Sequence, residues 1–218
     1  MKIHREGKAA ILINTAFWLI VAVCTCIFAS SDLLKLIVAL AAISIIGIVI
    51  FFFRVPQRKV TEDASLAVSP ADGKVVQVRK VYVKEYFDCE CTEISIFLSL
   101  FNVHITWFPI GGTVEYSKYY PGAHTFAFLP KSSEKNEHSS VVVKDAEGRQ
   151  LMFRQIAGIV ARRVVCYARQ GEQCSQASQA GFIKFGSRLT VFIPGDAETL
   201  VKVGDKVKGS VSPIARLK

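Results

Sequence analysis

Two long apolar runs open the chain. Ala9 to Ser30 holds no charged residue and Leu33 to Phe53 holds only Lys35, so each can cross the roughly 30 Å hydrocarbon layer of a bilayer as a helix. Ser30, Ser31 and Asp32 between them leave room for a tight turn only, which predicts a transmembrane helical hairpin over residues 1–53 with both ends on one side. Lys35 lies close enough to the interface to snorkel. Lys2, Arg5 and Lys8 precede the first run, and Arg54, Arg58 and Lys59 follow the second. The positive-inside rule therefore places both flanks, and the rest of the chain, on the cytoplasmic side of a cell membrane. A cleaved secretory signal fits poorly, because the first run is too long and a second follows at once.

Beyond residue 53 the pattern changes to short runs rich in β-branched and aromatic residues, bounded by turn chemistry. Strands are predicted over Lys74–Val83, Glu93–Ser99, Val103–Phe108, Gly112–Tyr119, Ser139–Val143, Leu151–Ala157, Phe182–Phe185, Arg188–Ile193 and Leu200–Val203. Gly158 to Tyr167 reads equally as a strand or a short helix, and Tyr120 to His138 reads as a long polar connection able to cover a site. Pro70-Ala71-Asp72-Gly73-Lys74-Val75 and Val203 to Gly209 resemble the Asp/Gly turns of lipoyl, biotinyl and sugar-phosphotransferase carriers, where a glycine adopts a backbone denied to other residues. The expected fold is mainly β over residues 54–218, a flattened β-barrel or sandwich with few short helices, behind the hairpin.

Composition adds little to this division except for charge. The 218 residues carry a net +9. Residues 54–218 keep 23 basic and 16 acidic residues, a net +7 that favours anionic partners, above all a membrane surface. Nucleic acid is not expected, since the basic residues are scattered and form no known recognition motif. Of the six cysteines, Cys24 and Cys26 lie in a span and Cys89, Cys91, Cys166 and Cys174 in a domain assigned to a reducing compartment, so disulfides are not expected. Cys89-Glu90-Cys91 lacks the partner ligands that a closed metal site requires.

Three residues invite chemistry. Gly186-Ser187 stands between two predicted strands, and a serine hydroxyl at a strained kink can attack the preceding carbonyl; the same dipeptide is also a common bend. His104, in Phe101-Asn102-Val103-His104, is the best candidate base, and Asp72 a candidate to orient it, since a serine needs such help to act as a nucleophile. Taken singly, Asp72 more readily satisfies its own turn, and His104 more readily sits at the wet edge of a strand. His124 and His138 fall in the polar connection and His4 beside the membrane, where solvated roles are expected.

The segments in order resemble the phosphatidylserine decarboxylases of the short bacterial and archaeal type. The likeness runs from His4-Arg5-Glu6-Gly7 through the double span, Phe52-Phe53-Arg54-Val55-Pro56, Ser69 to Val75, Ser95 to His104, Tyr120-Pro121-Gly122 and Gln155 to Tyr167, to Gly181–Ser187. This resemblance implies a proenzyme that cuts its own Gly186–Ser187 bond with the help of His104 and Asp72. It would give a larger chain of residues 1–186 and a small chain of residues 187–218 that stay together as a heterodimer, with higher oligomers open. Ser187 would become a pyruvoyl group, with no metal and no pyridoxal phosphate. Its carbonyl would condense with the amine of phosphatidylserine and take up electrons as carbon dioxide leaves, yielding phosphatidylethanolamine.

Two departures from longer members stand out. Those carry Leu-Gly-Ser-Thr at the cut and a second histidine three residues before the one matching His104; here the residues are Phe185-Gly186-Ser187-Arg188 and Phe101. The resemblance therefore assigns no separate proton donor. Arg162 and Arg163 are candidates for the substrate carboxylate or phosphate, which guanidinium groups bind bidentately. Competing readings are a pyruvoyl decarboxylase of a soluble amino acid, which would not need the hairpin, and a non-catalytic β carrier built on the two Asp/Gly turns.

Overall fold

A computed structural model describes residues 2–122, 136–158, 163–184, 187–195 and 197–217. Its contacts divide the chain into two compact units, Met1–Gln57 and Arg58–Lys218.

The first unit is a pair of helices, α1 (Lys8–Phe28) and α2 (Asp32–Phe52), entered through a 3-10 turn at Arg5–Gly7. Both are long and apolar enough to cross a membrane. Ser31 starts α2 by accepting the Leu34 amide on its hydroxyl, at 3.4 Å. Inside the helices the Thr25 and Ser44 hydroxyls donate to the Val21 and Leu40 carbonyls one turn back, so neither polar group is left facing hydrocarbon unsatisfied. Strand β1 (Lys2–Ile3) pairs antiparallel with β2 (Arg54–Val55), and the His4 amide donates to the Phe53 carbonyl at 2.8 Å. The chain thus enters and leaves the pair at the same end. His4 is buried there rather than solvated, its Nδ1 accepting from the Glu6 amide.

The second unit is built almost wholly of strands. In order they are β3 (Leu66–Val68), β4 (Gly73–Val83), β5 (Cys89–Leu98), β6 (Ile105–Trp107), β7 (Gly112–Tyr120), β8 (His138–Lys144) and β9 (Gln150–Ala157). There follow β10 (Arg163–Cys166), β11 (Gln173–Cys174), β12 (Gln179–Lys184), β13 (Ser187–Pro194), β14 (Glu198–Thr199), β15 (Lys206–Val207) and β16 (Pro213–Arg216). An eight-stranded curled antiparallel sheet runs β11-β7-β8-β9-β13-β5-β4-β15, and two three-stranded sheets run β10-β12-β6 and β14-β16-β3. The mainly β expectation holds, and among the described residues of this unit no α-helix occurs.

Period-two alternation decides which side chains meet the core. Leu189, Val191 and Ile193 of β13 join Ile94, Ile96 and Leu98 of β5 and Leu151 and Phe153 of β9 in the main cluster. The intervening Arg188, Thr190 and Phe192 point to the other face, where Phe192 packs on Met152, Val142 and Cys91. All six cysteines are free thiols, and burial pushes that of Cys91 up to about 12.

Three further expectations need correction. Leu200–Val203 is not a strand: the Lys202 amide is taken by the Asp205 carboxylate at 2.9 Å and Gly204 has φ +103°, so a side-chain-closed turn replaces the ladder. His138 is not solvated. As the first residue of β8 it is 7% exposed and stacks on Tyr120 with ring centres 4.6 Å apart. In Asp72-Gly73 the glycine is needed for close approach rather than for an unusual φ, because a Cβ would come within 2.3 Å of the Phe97 carbonyl oxygen. The connection over 120–138 falls largely on residues 123–135, outside those described.

Candidate active site

Ser187 is the first residue of β13, facing Ala157 of β9 on one flank and Leu98 of β5 on the other. It is fully buried, and its hydroxyl has no hydrogen-bond partner among the described residues. Leaving such a group unsatisfied costs about 1–3 kcal/mol, so a well-ordered strand does not place a serine this way for stability. By alternation it lies on the core face, next in line to Leu189. Gly186, the other half of the expected cut, is outside the described residues.

Two segments lead from this point to His104. Leu98, directly across from Ser187, runs into the turn Ser99–Asn102 and so to His104; β12, which leads toward Ser187 from the other side, donates the Ile183 amide to the His104 carbonyl at 3.1 Å. His104 is fully buried, which removes the wet-edge reading. Its Nδ1 lies 3.0 Å from the Asn102 carbonyl oxygen. That oxygen only accepts, so the neutral ring carries its proton on Nδ1 and keeps Nε2 as its basic nitrogen.

Asp72 sits elsewhere in this network. Its carboxylate receives both terminal nitrogens of Arg58 at 2.7 Å and the Gly209 amide at 2.8 Å. Arg58 also donates to the Gly209 carbonyl and lies 4.8 Å over the Trp107 ring. Since the Trp107 amide donates to the Pro70 carbonyl, the Asp72 turn meets β6 at Trp107, whereas His104 precedes its other end. Among the described residues no hydrogen bond joins Asp72 to His104. Ser187 and His104 are thus drawn to one end of the sheets, and Asp72 is held by a different set of partners.

Of the two candidate substrate arginines, Arg162 is outside the described residues. Arg163 is exposed at the start of β10, opposite Lys184. Among the described residues no cluster of three or more His, Cys, Asp or Glu side chains gathers to hold a metal.

Sequence reasoning missed several buried polar groups around Ser187. Gln155 donates to the Thr106 hydroxyl at 2.9 Å and accepts from the Ser139 hydroxyl at 2.7 Å, tying β9 to β6 and β8 two residues from the Ala157 that faces Ser187. Arg188, next to Ser187, is 2% exposed, and burial, with Arg79 and Arg154 nearby, holds its pKa below the ordinary range against the opposing Glu93. On that face a cleft of about 610 Å³ is lined by Arg79, Glu85, Glu93, Tyr120, His138 and Arg154. An arginine opening an otherwise apolar strand was the visible hint.

The β domain that follows the apolar helix pair thus carries a buried serine whose hydroxyl has no hydrogen-bond partner among the described residues, and a buried histidine on the segment that continues from that serine's strand partner. The family model for phosphatidylserine decarboxylase matches residues 46–215. The phosphatidylserine decarboxylase proenzyme of Amoebophilus asiaticus is 42% identical over 220 residues, covering all of this chain and 97% of the relative. That of Parabacteroides distasonis is 41% identical over 218 residues, covering 100% and 99%, and that of Syntrophus aciditrophicus 42% over 164, covering 75% and 77%. The chain is a decarboxylase. It belongs to the phosphatidylserine decarboxylase family.

Proposed function

We propose that the chain is a proenzyme that cuts itself between Gly186 and Ser187, converts Ser187 to a pyruvoyl group, and then decarboxylates phosphatidylserine to phosphatidylethanolamine at the cytoplasmic face of a membrane. The observation that carries this reading is the Ser187 hydroxyl, buried and without a hydrogen-bond partner among the described residues at the start of a strand held on both flanks.

In this reading His104 Nε2 takes the hydroxyl proton as Ser187 Oγ attacks the Gly186 carbonyl carbon; the Gly186–Ser187 C–N bond breaks, and an ester and a free amine result. Loss of the Ser187 α-proton expels the Gly186 carboxylate and leaves a dehydroalanine, to which water adds as ammonia departs. The residues fit the product, because the atom that must react, Ser187 Oγ, is buried without a hydrogen-bond partner among the described residues. When formed, the pyruvoyl group supplies an electron sink for the carbanion left by carbon dioxide. His104 then holds the proton within reach of the reacting carbon. Arg163 offers a guanidinium to the anionic head group.

Both the orientation and the pairing of the cut chains follow from the same features. Basic residues flank both helices, and the β1–β2 pairing brings those flanks together at one end, which supports a cytoplasmic domain. Residues 187–218 contribute β13 to the middle of the large sheet, so the fragments remain one heterodimer.

The test is Ser187→Ala in the full-length protein. It should remain a single chain, fold with the parent's thermal midpoint, and produce no phosphatidylethanolamine. A Ser187→Ala protein that still decarboxylates phosphatidylserine would overturn the reading.

A further inference from the structure

The turn between Leu98 and His104 is rigid and carries two large apolar side chains outward. Asn102 Oδ1 accepts from both the Ser99 amide, at 2.9 Å, and the Ser99 hydroxyl, at 2.6 Å, and the Asn102 amide donates to the Ser99 carbonyl at 3.0 Å. These bonds fix the backbone while Leu100 is 50% and Phe101 76% exposed. Two neighbouring large apolar side chains at such exposure, on a turn closed by hydrogen bonds, mark a surface suited to an apolar partner.

Their surroundings say what they face. This end of the large sheet also holds Tyr119, 53% exposed at the end of β7, and the nearby three-stranded sheet ends on exposed Arg163 opposite Lys184. Glu137, the acid next to Tyr119 and Arg163, is buried and accepts the Val164 amide at 2.9 Å, so among the described residues here the exposed charge is basic. Apolar tips, an aromatic with a polar end and cations form the set that suits the head-group layer of an anionic bilayer. Ser187 lies between them, with Leu98 as its strand partner.

We infer that the Leu100–Phe101 turn is a lipid-contact element that dips into the surface of an anionic bilayer and brings the head group of a membrane lipid to Ser187. This deepens, and rests on, the decarboxylase reading. The partner is the bilayer surface itself, rather than one soluble lipid molecule, because the exposed apolar side chains lie with exposed basic residues at the same end of the sheets.

Two measurements on the full-length protein in phosphatidylcholine/phosphatidylglycerol proteoliposomes, whose surface is anionic, decide it. With Phe101→Trp placed in a Trp18→Phe background that keeps the buried Trp107, the emission gained over that background should lie at shorter wavelength than in water and be quenched by lipids brominated on their acyl chains. Emission typical of water and indifferent to brominated lipid overturns the proposal. Leu100→Ser/Phe101→Ser should turn over long-chain phosphatidylserine in the bilayer about tenfold more slowly, the effect of about 1.4 kcal/mol of lost lipid contact, and dissolved dihexanoyl phosphatidylserine within about twofold of the parent. Equal losses on both substrates, or none on either, overturn it too. The quenching does not depend on catalysis: a parent inactive on both substrates but quenched at position 101 would fault the decarboxylase reading and leave the lipid contact standing.

Discussion

The neighbour of His104 decides what that residue can do. Its Nδ1 is bound to the Asn102 carbonyl, so a backbone oxygen sets the tautomer, the task that the sequence suggested for Asp72. His104→Gln keeps a side chain able to hydrogen-bond but has no basic nitrogen, and it should fold, stay uncut and be inactive, as judged by gel mobility and product assay. Asp72 invites a contrasting experiment. Its side chain and that of Arg58 are 13% and 14% exposed, and breaking such a buried pair costs about 3–5 kcal/mol. Arg58→Ala should therefore lower the denaturation midpoint sharply, while the fraction that folds still cuts at Ser187. A well-folded Arg58→Ala protein that never cuts would assign the pair to the chemistry. At this scale the sequence was partly legible. Ser187 and His104 stood out through their motifs, but a backbone carbonyl leaves no mark in a pattern of side chains, and nothing in the segment between Arg58 and Asp72 announces their bridge.

Among elements, β13 matters most. From Ser187 to Pro194 it pairs with β5 along its whole length, and with β9 as far as Phe192. Leu189, Val191 and Ile193 are buried in the main core, and the Gly209 amide, which would also belong to the proposed small chain, is held by Asp72 of the proposed larger one. Cleavage at the first residue of such a strand removes none of these contacts. The cut protein should elute as one species on gel filtration and separate into two chains only in denaturant; separation in native buffer would contradict the pairing described. Strands with strict alternation or long β-branched runs were readable to within a few residues. Leu200–Val203 misled because its apolar residues match a strand, whereas the Asp205 side chain closes the backbone into a turn. The sheet order was not readable, since strands adjacent in space, such as β13 and β5, are joined by contacts far apart in sequence.

For the whole molecule, the helical pair was the most legible feature, because a charge-free run of that length has few other uses. The β domain depends on a set of buried charges on the face opposite the core, and its stability should respond to pH. Burial, with the Arg154 cation nearby, lowers the pKa of His138 against the opposing pull of Glu85 and the Asn136 carbonyl. The unfolded chain therefore binds a proton that the folded one resists. Stability is full above the unfolded value of about 6.5, falls as pH drops below it, and levels off once pH passes the lower folded value. Thermal midpoints measured between neutral and mildly acidic pH should show this fall, with a shallower slope for His138→Asn.

The central claim is that Ser187 becomes the reactive group, and mass measurement of the purified, active full-length protein tests it most directly. The account predicts two chains, residues 1–186 and 187–218, the smaller beginning with a pyruvoyl group and blocked to N-terminal sequencing until reductive amination. An active preparation containing only the intact 24.1 kDa chain would contradict it.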